Sequence, residues 1–126
     1  MAAESQIRNF NDLEAWKKSR VLVRVIYEAT AAFPAAEVYG LTQQLRRAAV
    51  SVPSNIAEGY GRGARSDYIR FLRMARGSLY EIQTQLLLAQ DLGYVTEAKV
   101  SPLMMQAAEC CRILQGLLKG LSIKKG

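Results

Sequence analysis

Apolar residues recur every third or fourth position through four separate stretches of this chain, and nowhere do they alternate over the length of a strand. A period near 3.6 collects them on one face of a helix, whereas a half-buried strand needs a period of two. The chain is therefore expected to be all-α. The first stretch opens near Asn11, an N-cap with Glu14 three residues on, and lines up Ala15, Ser19, Leu22, Ile26, Ala29 and Phe33 before Pro34 stops it. The second starts after Gly40 and carries Leu41, Leu45, Ala48, Val52 and Ile56 to about Tyr60. The third, capped by Ser66, has Tyr68, Phe71, Leu72, Ala75, Leu79, Ile82, Leu86 and Ala89 on its core face, with Gly93 closing it. The fourth begins at Thr96, or at Ser101 with Pro102 in the first helical position, and runs Val100, Leu103, Ala107, Cys110, Leu114 and Leu117 to about Lys119.

Short connections force neighbouring helices to run antiparallel, so the expected architecture is an up-down four-helix bundle. Its 126 residues make one domain spanning 1–126, with loose ends at 1–10 and 121–126. The third helix carries more apolar surface than one core requires. Ile69, Tyr80, Leu87 and Leu88 lie off its core stripe, and a helix bearing them is expected to meet a second copy of the chain.

Several classes of function are disfavoured early. The chain has no histidine, which removes the commonest general base and metal ligand, so no catalytic residues, metal or cofactor are assigned and a non-enzymatic role is expected. Cys110 and Cys111 are adjacent, a spacing that suits neither an unstrained disulfide nor a zinc site; they read as core thiols in a reducing compartment. No apolar run approaches a membrane span and the N-terminus has no secretory h-region, so a cytoplasmic protein with no membrane partner is expected.

The stretch "SVPSNIAEGYGRGARS" (51–66) tests this reading. Gly59, Gly61 and Ala64 have the spacing of a dinucleotide fingerprint, but that motif needs a preceding strand, and none is expected. The glycines fit a helix-to-helix joint better, where positive φ and close backbone passage are required. Pro53 removes a helical N–H and crowds the carbonyl of Ala49. A kinked but continuous helix is favoured over a break, because Val52 would make a poor N-cap. Ser51 and Asn55 are then expected to bond freed backbone groups, and Glu58 to pair with Arg62. Ser78, Glu81 and Gln85 read as a polar edge bonding between helices, and Trp16 as packing.

Charge concentrates in one quarter of the chain. Arg46, Arg47, Arg62, Arg65, Arg70, Arg73 and Arg76 face only Glu58 and Asp67 over that span, and supply most of the net charge of +6. All are arginine, the cation best suited to phosphate and to interface pairing. Two readings follow: a nucleic-acid surface made of these seven, or carboxylate pairing across subunits in a purely structural scaffold, with Arg70 and Arg73 the residues most open to the latter. A small hydrolase fits least, since no carboxylates cluster for a metal.

The residues also carry a family resemblance. "FNDLEAW" (10–16), "GLTQQLRRAAVSVPSNIAEGYGR" (40–62), "ARGSLYEIQTQL" (75–86) and "DLGYV" (91–95) resemble the proteins encoded in intervening sequences of bacterial 23S ribosomal RNA genes, over about residues 10–121. That resemblance implies a four-helix bundle assembled as a pentameric ring around a central channel. The family is in turn similar to the accessory protein of diversity-generating retroelements, which implies RNA or DNA and a nucleic-acid-processing protein as partners. Pro102 and Gln83 depart from the family pattern, the first at the start of the last helix, the second where an acidic residue is usual.

Overall fold

Four helices follow in close succession: α1 (Glu14–Thr30), α2 (Leu41–Arg62), α3 (Arg65–Asp91) and α4 (Glu97–Ile123). A computed structural model describes residues 7–123, and no strand occurs among them. Each helix packs on the next and α4 returns to α1, with the broadest contact between α2 and α3. This circuit of antiparallel neighbours is the expected up-down bundle. Leu22, Ile26, Leu45, Val52, Ile56, Leu72, Leu79, Ile82, Leu86 and Leu114 fill its centre. Ala49, Ala75 and Ala107, each fully buried, let the helix backbones approach closely between these larger side chains.

The stripes hold with shifts at their flanks. Thr30 is buried in place of Ala29, and Leu118 in place of Leu117. Thr30 tolerates burial because its hydroxyl donates to the Ile26 carbonyl at 2.8 Å. Leu41 and Tyr68 are half-buried, and burial pushes the Tyr68 phenol up to about 12, aided by nearby Tyr60. Cys110 and Cys111 are buried free thiols. Pro53 sits inside an unbroken α2, as the poor capping by Val52 implied.

The caps differ more from expectation. The capping box belongs to Asn9 and Asp12, around a short 3-10 turn at Phe10–Asp12, so α1 starts at Glu14 without a side-chain cap and Asn11 is not its N-cap. The helix stops at Thr30, before Phe33 and Pro34; Pro34 instead leads a second 3-10 turn at Ala35–Glu37. Ser66 lies within α3, whose N-cap is Ala64 in extended conformation. The chain reverses there because Gly63 adopts φ 85°. Thr96 precedes α4, and its hydroxyl accepts from the Lys99 N–H at 3.3 Å, which places Pro102 inside the helix. The loose ends expected at 1–10 and 121–126 fall partly outside the described residues; within them, Phe10 packs edge-on to Trp16 at 5.3 Å and α4 continues to Ile123.

One end of the bundle is tied by polar groups. Glu37 accepts from the Leu41 N–H at 2.8 Å with one carboxylate oxygen and from the Tyr94 hydroxyl at 2.8 Å with the other. Thus a residue between α1 and α2 caps α2 and holds the connection between α3 and α4. That second connection is set by Gly93 (φ 79°), with Gly93 N–H bonded to the Gln90 carbonyl and Tyr94 N–H to the Ala89 carbonyl. These are the paired bonds of a Schellman ending.

Candidate nucleic-acid interface

The seven arginines do not form one patch. Arg62 and Arg70 flank the α2–α3 joint and both lie over the ring of Phe71, at 5.0 and 4.6 Å. Each also has a carboxylate: Glu58 stands 3.4 Å from Arg62 and Asp67 3.6 Å from Arg70. Spacings of four and three residues put these partners on a shared helix face. The joint itself is tight because Gly59 is buried; a Cβ there would stand 2.6 Å from the Cβ of Phe71. These two arginines are thus stacked on Phe71 and each paired with a carboxylate within the chain.

Arg46 is engaged across helices. Its Nε donates to the Thr30 hydroxyl at 2.8 Å and its Nη2 to the Tyr27 carbonyl at 3.2 Å, while its guanidinium lies 4.5 Å over the Tyr27 ring. Arg47, the next residue, is exposed and borders two grooves, one toward α1 and one toward α3.

Arg65, Arg73 and Arg76 occupy the α3 flank that faces α4. Arg65 Nε donates to the Leu121 carbonyl at 3.0 Å, anchoring the side chain near the end of α4. Arg65 and Arg73 line a cleft of about 470 Å³ with Ser66, Ile69 and Ser122, and among the described residues no carboxylate borders it. Arg76 is half-buried on the same side. Among the described residues, Arg47, Arg65, Arg73 and Arg76 make no ion pair.

Between α2 and α3, Ser51 and Asn55 bond the carbonyls of Ala48 and Ser51 and not that of Ala49, the one Pro53 deprives of its helical N–H. Both bonds are 2.8 Å long, and Ser51 also meets Ser78. Gln85 reaches Gln44 at 3.4 Å and leaves its buried Oε1 without a partner. Glu81 borders this groove beside Arg47 and is exposed. Of the four surplus apolar residues, Tyr80, Leu87 and Leu88 are about half-exposed, at 51, 47 and 46%. Ile69 differs: it is half-buried against its own core, below the Arg65–Arg73 cleft.

Sequence reasoning missed the partners that fold topology supplies. Tyr27 and Thr30 reach Arg46 from another helix, and Leu121 reaches Arg65 from the far end of the chain. The only signal was weak: Thr30 is a hydroxyl one position from an expected core alanine. Among the described residues, no three of His, Cys, Asp or Glu stand together to hold a metal ion, and no helix is long and apolar enough to cross a membrane.

Comparison with curated proteins found no match. Among solved structures, the chain is similar to a crystal structure of a protein of unknown function from the S23 ribosomal protein family of Bacteroides thetaiotaomicron, with a TM-score of 0.74 at 22% identity, covering 83% of this chain and 98% of that one. At that identity the likeness carries the fold. The family pattern described as 23S rRNA-intervening sequence protein matches residues 11–116, nearly the whole bundle from the first turn to the last third of α4. On that match the chain belongs to the 23S rRNA-intervening sequence protein family.

Proposed function

We infer that this is a non-enzymatic, homo-oligomeric helical protein that binds the phosphate backbone of RNA or DNA at the cleft between the start of α3 and the end of α4. The observation that carries this reading is the make-up of that cleft. Among the described residues, Arg65 and Arg73 stand with Ser66 and Ser122 and face no carboxylate, whereas Arg62 and Arg70 already have one each. Fixing Arg65 through its Nε leaves both Nη groups to donate, which lowers the ordering cost of gripping a phosphate oxygen. Contacts of this kind position a strand without reading its sequence. A family defined by an intervening sequence of 23S rRNA is compatible with an RNA ligand.

The test is fluorescence anisotropy with a mixed-sequence RNA over a range of salt. Wild-type binding is expected to weaken steeply with salt, by about 0.7–0.9 in log–log slope per phosphate contacted. Arg65→Glu with Arg73→Glu should lower both affinity and slope, while Arg62→Glu should change them little. Equal slopes for wild type and the double variant would remove the cleft from consideration. A second reading, a structural scaffold with no nucleic-acid role, draws on the exposed Tyr80, Leu87 and Leu88, and predicts assembly without RNA binding.

A further inference from the structure

The groove between α1 and α2 differs in kind from the arginine cleft. Its volume is about 580 Å³, and Tyr27, Val38, Arg46, Arg47 and Val50 line it together with neutral polar side chains. Among the described residues, two cations and no carboxylate stand in its walls. Tyr27, Val38 and Val50 are 42, 52 and 41% exposed, and Tyr39, next to Val38, is 87% exposed. Large side chains this open, gathered beside cations, form an unusual surface for a helix that has no other work there.

The fixed feature of the groove is a stacked pair. Arg46 lies 4.5 Å over the Tyr27 ring and is held by the Thr30 hydroxyl and the Tyr27 carbonyl, so guanidinium and ring act as one rigid platform. Thr30 is itself 2% exposed, which locks the anchor. We propose that this groove takes an unpaired nucleotide of a single strand, its base against the Tyr27–Arg46 platform and its phosphate on Arg47. Aromatic rings and arginine planes are what splayed bases stack on, and a duplex hides those base faces. A groove of this volume is of the size that holds one small planar ligand. An acidic peptide is the less favoured occupant. The Nε–Nη2 edge of Arg46, one that grips a carboxylate with two bonds, is already engaged inside the subunit. The proposal rests on the phosphate-binding reading only in requiring nucleic acid as the ligand.

The experiment compares a strand of about 12 thymidines with an abasic strand of equal length and charge, a length within the span of single-strand sites. The thymidine strand is expected to bind about tenfold more tightly, the scale of one stacked base. Tyr27→Ala should erase that difference, and Val50→Glu, which sets a carboxylate in the groove without touching the platform, should erase it as well. Arg65→Glu with Arg73→Glu should weaken both strands alike. If wild type binds the two strands equally, or Tyr27→Ala keeps the difference, the base site is wrong while the cleft reading stands. If neither strand binds, both fail. If a poly-glutamate peptide of similar length displaces the thymidine strand and Tyr27→Ala weakens that peptide to the same degree, the groove serves acidic peptides and the proposal is overturned.

Discussion

Gly59 and Gly61 stand two positions apart in the last turns of α2, yet only one of them is constrained by space. A Cβ on Gly59 would meet Phe71 at 2.6 Å and Tyr68 at 3.3 Å, whereas nothing lies within 4 Å of one on Gly61. Gly59→Ala is therefore expected to destabilise by about 1–3 kcal/mol, as overpacking does. Gly61→Ala should instead stabilise by up to about 1 kcal/mol, because helical alanine is preferred to glycine. Urea midpoints of the two variants check this, and a stable Gly59→Ala protein would mean that α2 and α3 can separate without loss. Gly63 answers to a third cause, its positive φ. A sequence shows three similar glycines in a joint; only the packed structure assigns each its reason. Arginine behaves likewise: the Glu58–Arg62 pair could be read from its spacing of four, but the Arg46–Thr30 bond joins residues 16 apart.

At the scale of elements, the helical faces were legible and the ends were not. Stripes survive small errors of register, since a core face spans several positions per two turns; hence Thr30 and Leu118 replace their neighbours without altering the bundle. Caps turn on single residues, and Asn9, Asn11 and Ser66 all have suitable chemistry. Backbone geometry chose among them, through a 3-10 turn at Phe10–Asp12 and the reversal at Gly63. The tie at Glu37 joins two connections that sequence could not place together, and it carries a pH dependence. The Leu41 N–H, and after it the Tyr94 hydroxyl, hold the Glu37 carboxyl below its ordinary 4.5. A depressed folded-state value means that the ionised carboxylate stabilises the fold above the unfolded value, and this contribution disappears as pH falls through the folded value. Stability measured by urea midpoint should thus drop on acidification below about pH 4.5. Glu37→Gln should flatten that part of the profile. Tyr94→Phe should keep most of it, since the Leu41 bond is the larger cause.

For the molecule as a whole, one surface remains unexplained by the isolated bundle. Tyr80, Leu87 and Leu88 are about half-exposed on α3, and closed cyclic assembly would cover such residues without open-ended growth. Leu87→Glu is expected to shift the mass seen by light scattering toward that of a single chain while the far-UV spectrum stays helical. A wild-type mass equal to one chain at micromolar concentration would refute assembly. The two buried cysteines offer a separate measure of how the bundle comes apart. Burial, reinforced by Glu109, pushes the Cys110 thiol up to about 11, and a thiol reagent needs an exposed thiolate. Labelling in native buffer is therefore a clock for transient opening. Adjacent positions on a helix point about 100° apart: Cys110 follows Glu109, which pairs with Lys18 of α1, and Cys111 stands one turn before Gln115, whose amide donates to the Tyr80 hydroxyl of α3. Cys110→Ser and Cys111→Ser proteins each keep one clock, one per seam. Equal labelling rates would mean that α4 leaves its neighbours in a single event; unequal rates would name the seam that parts first.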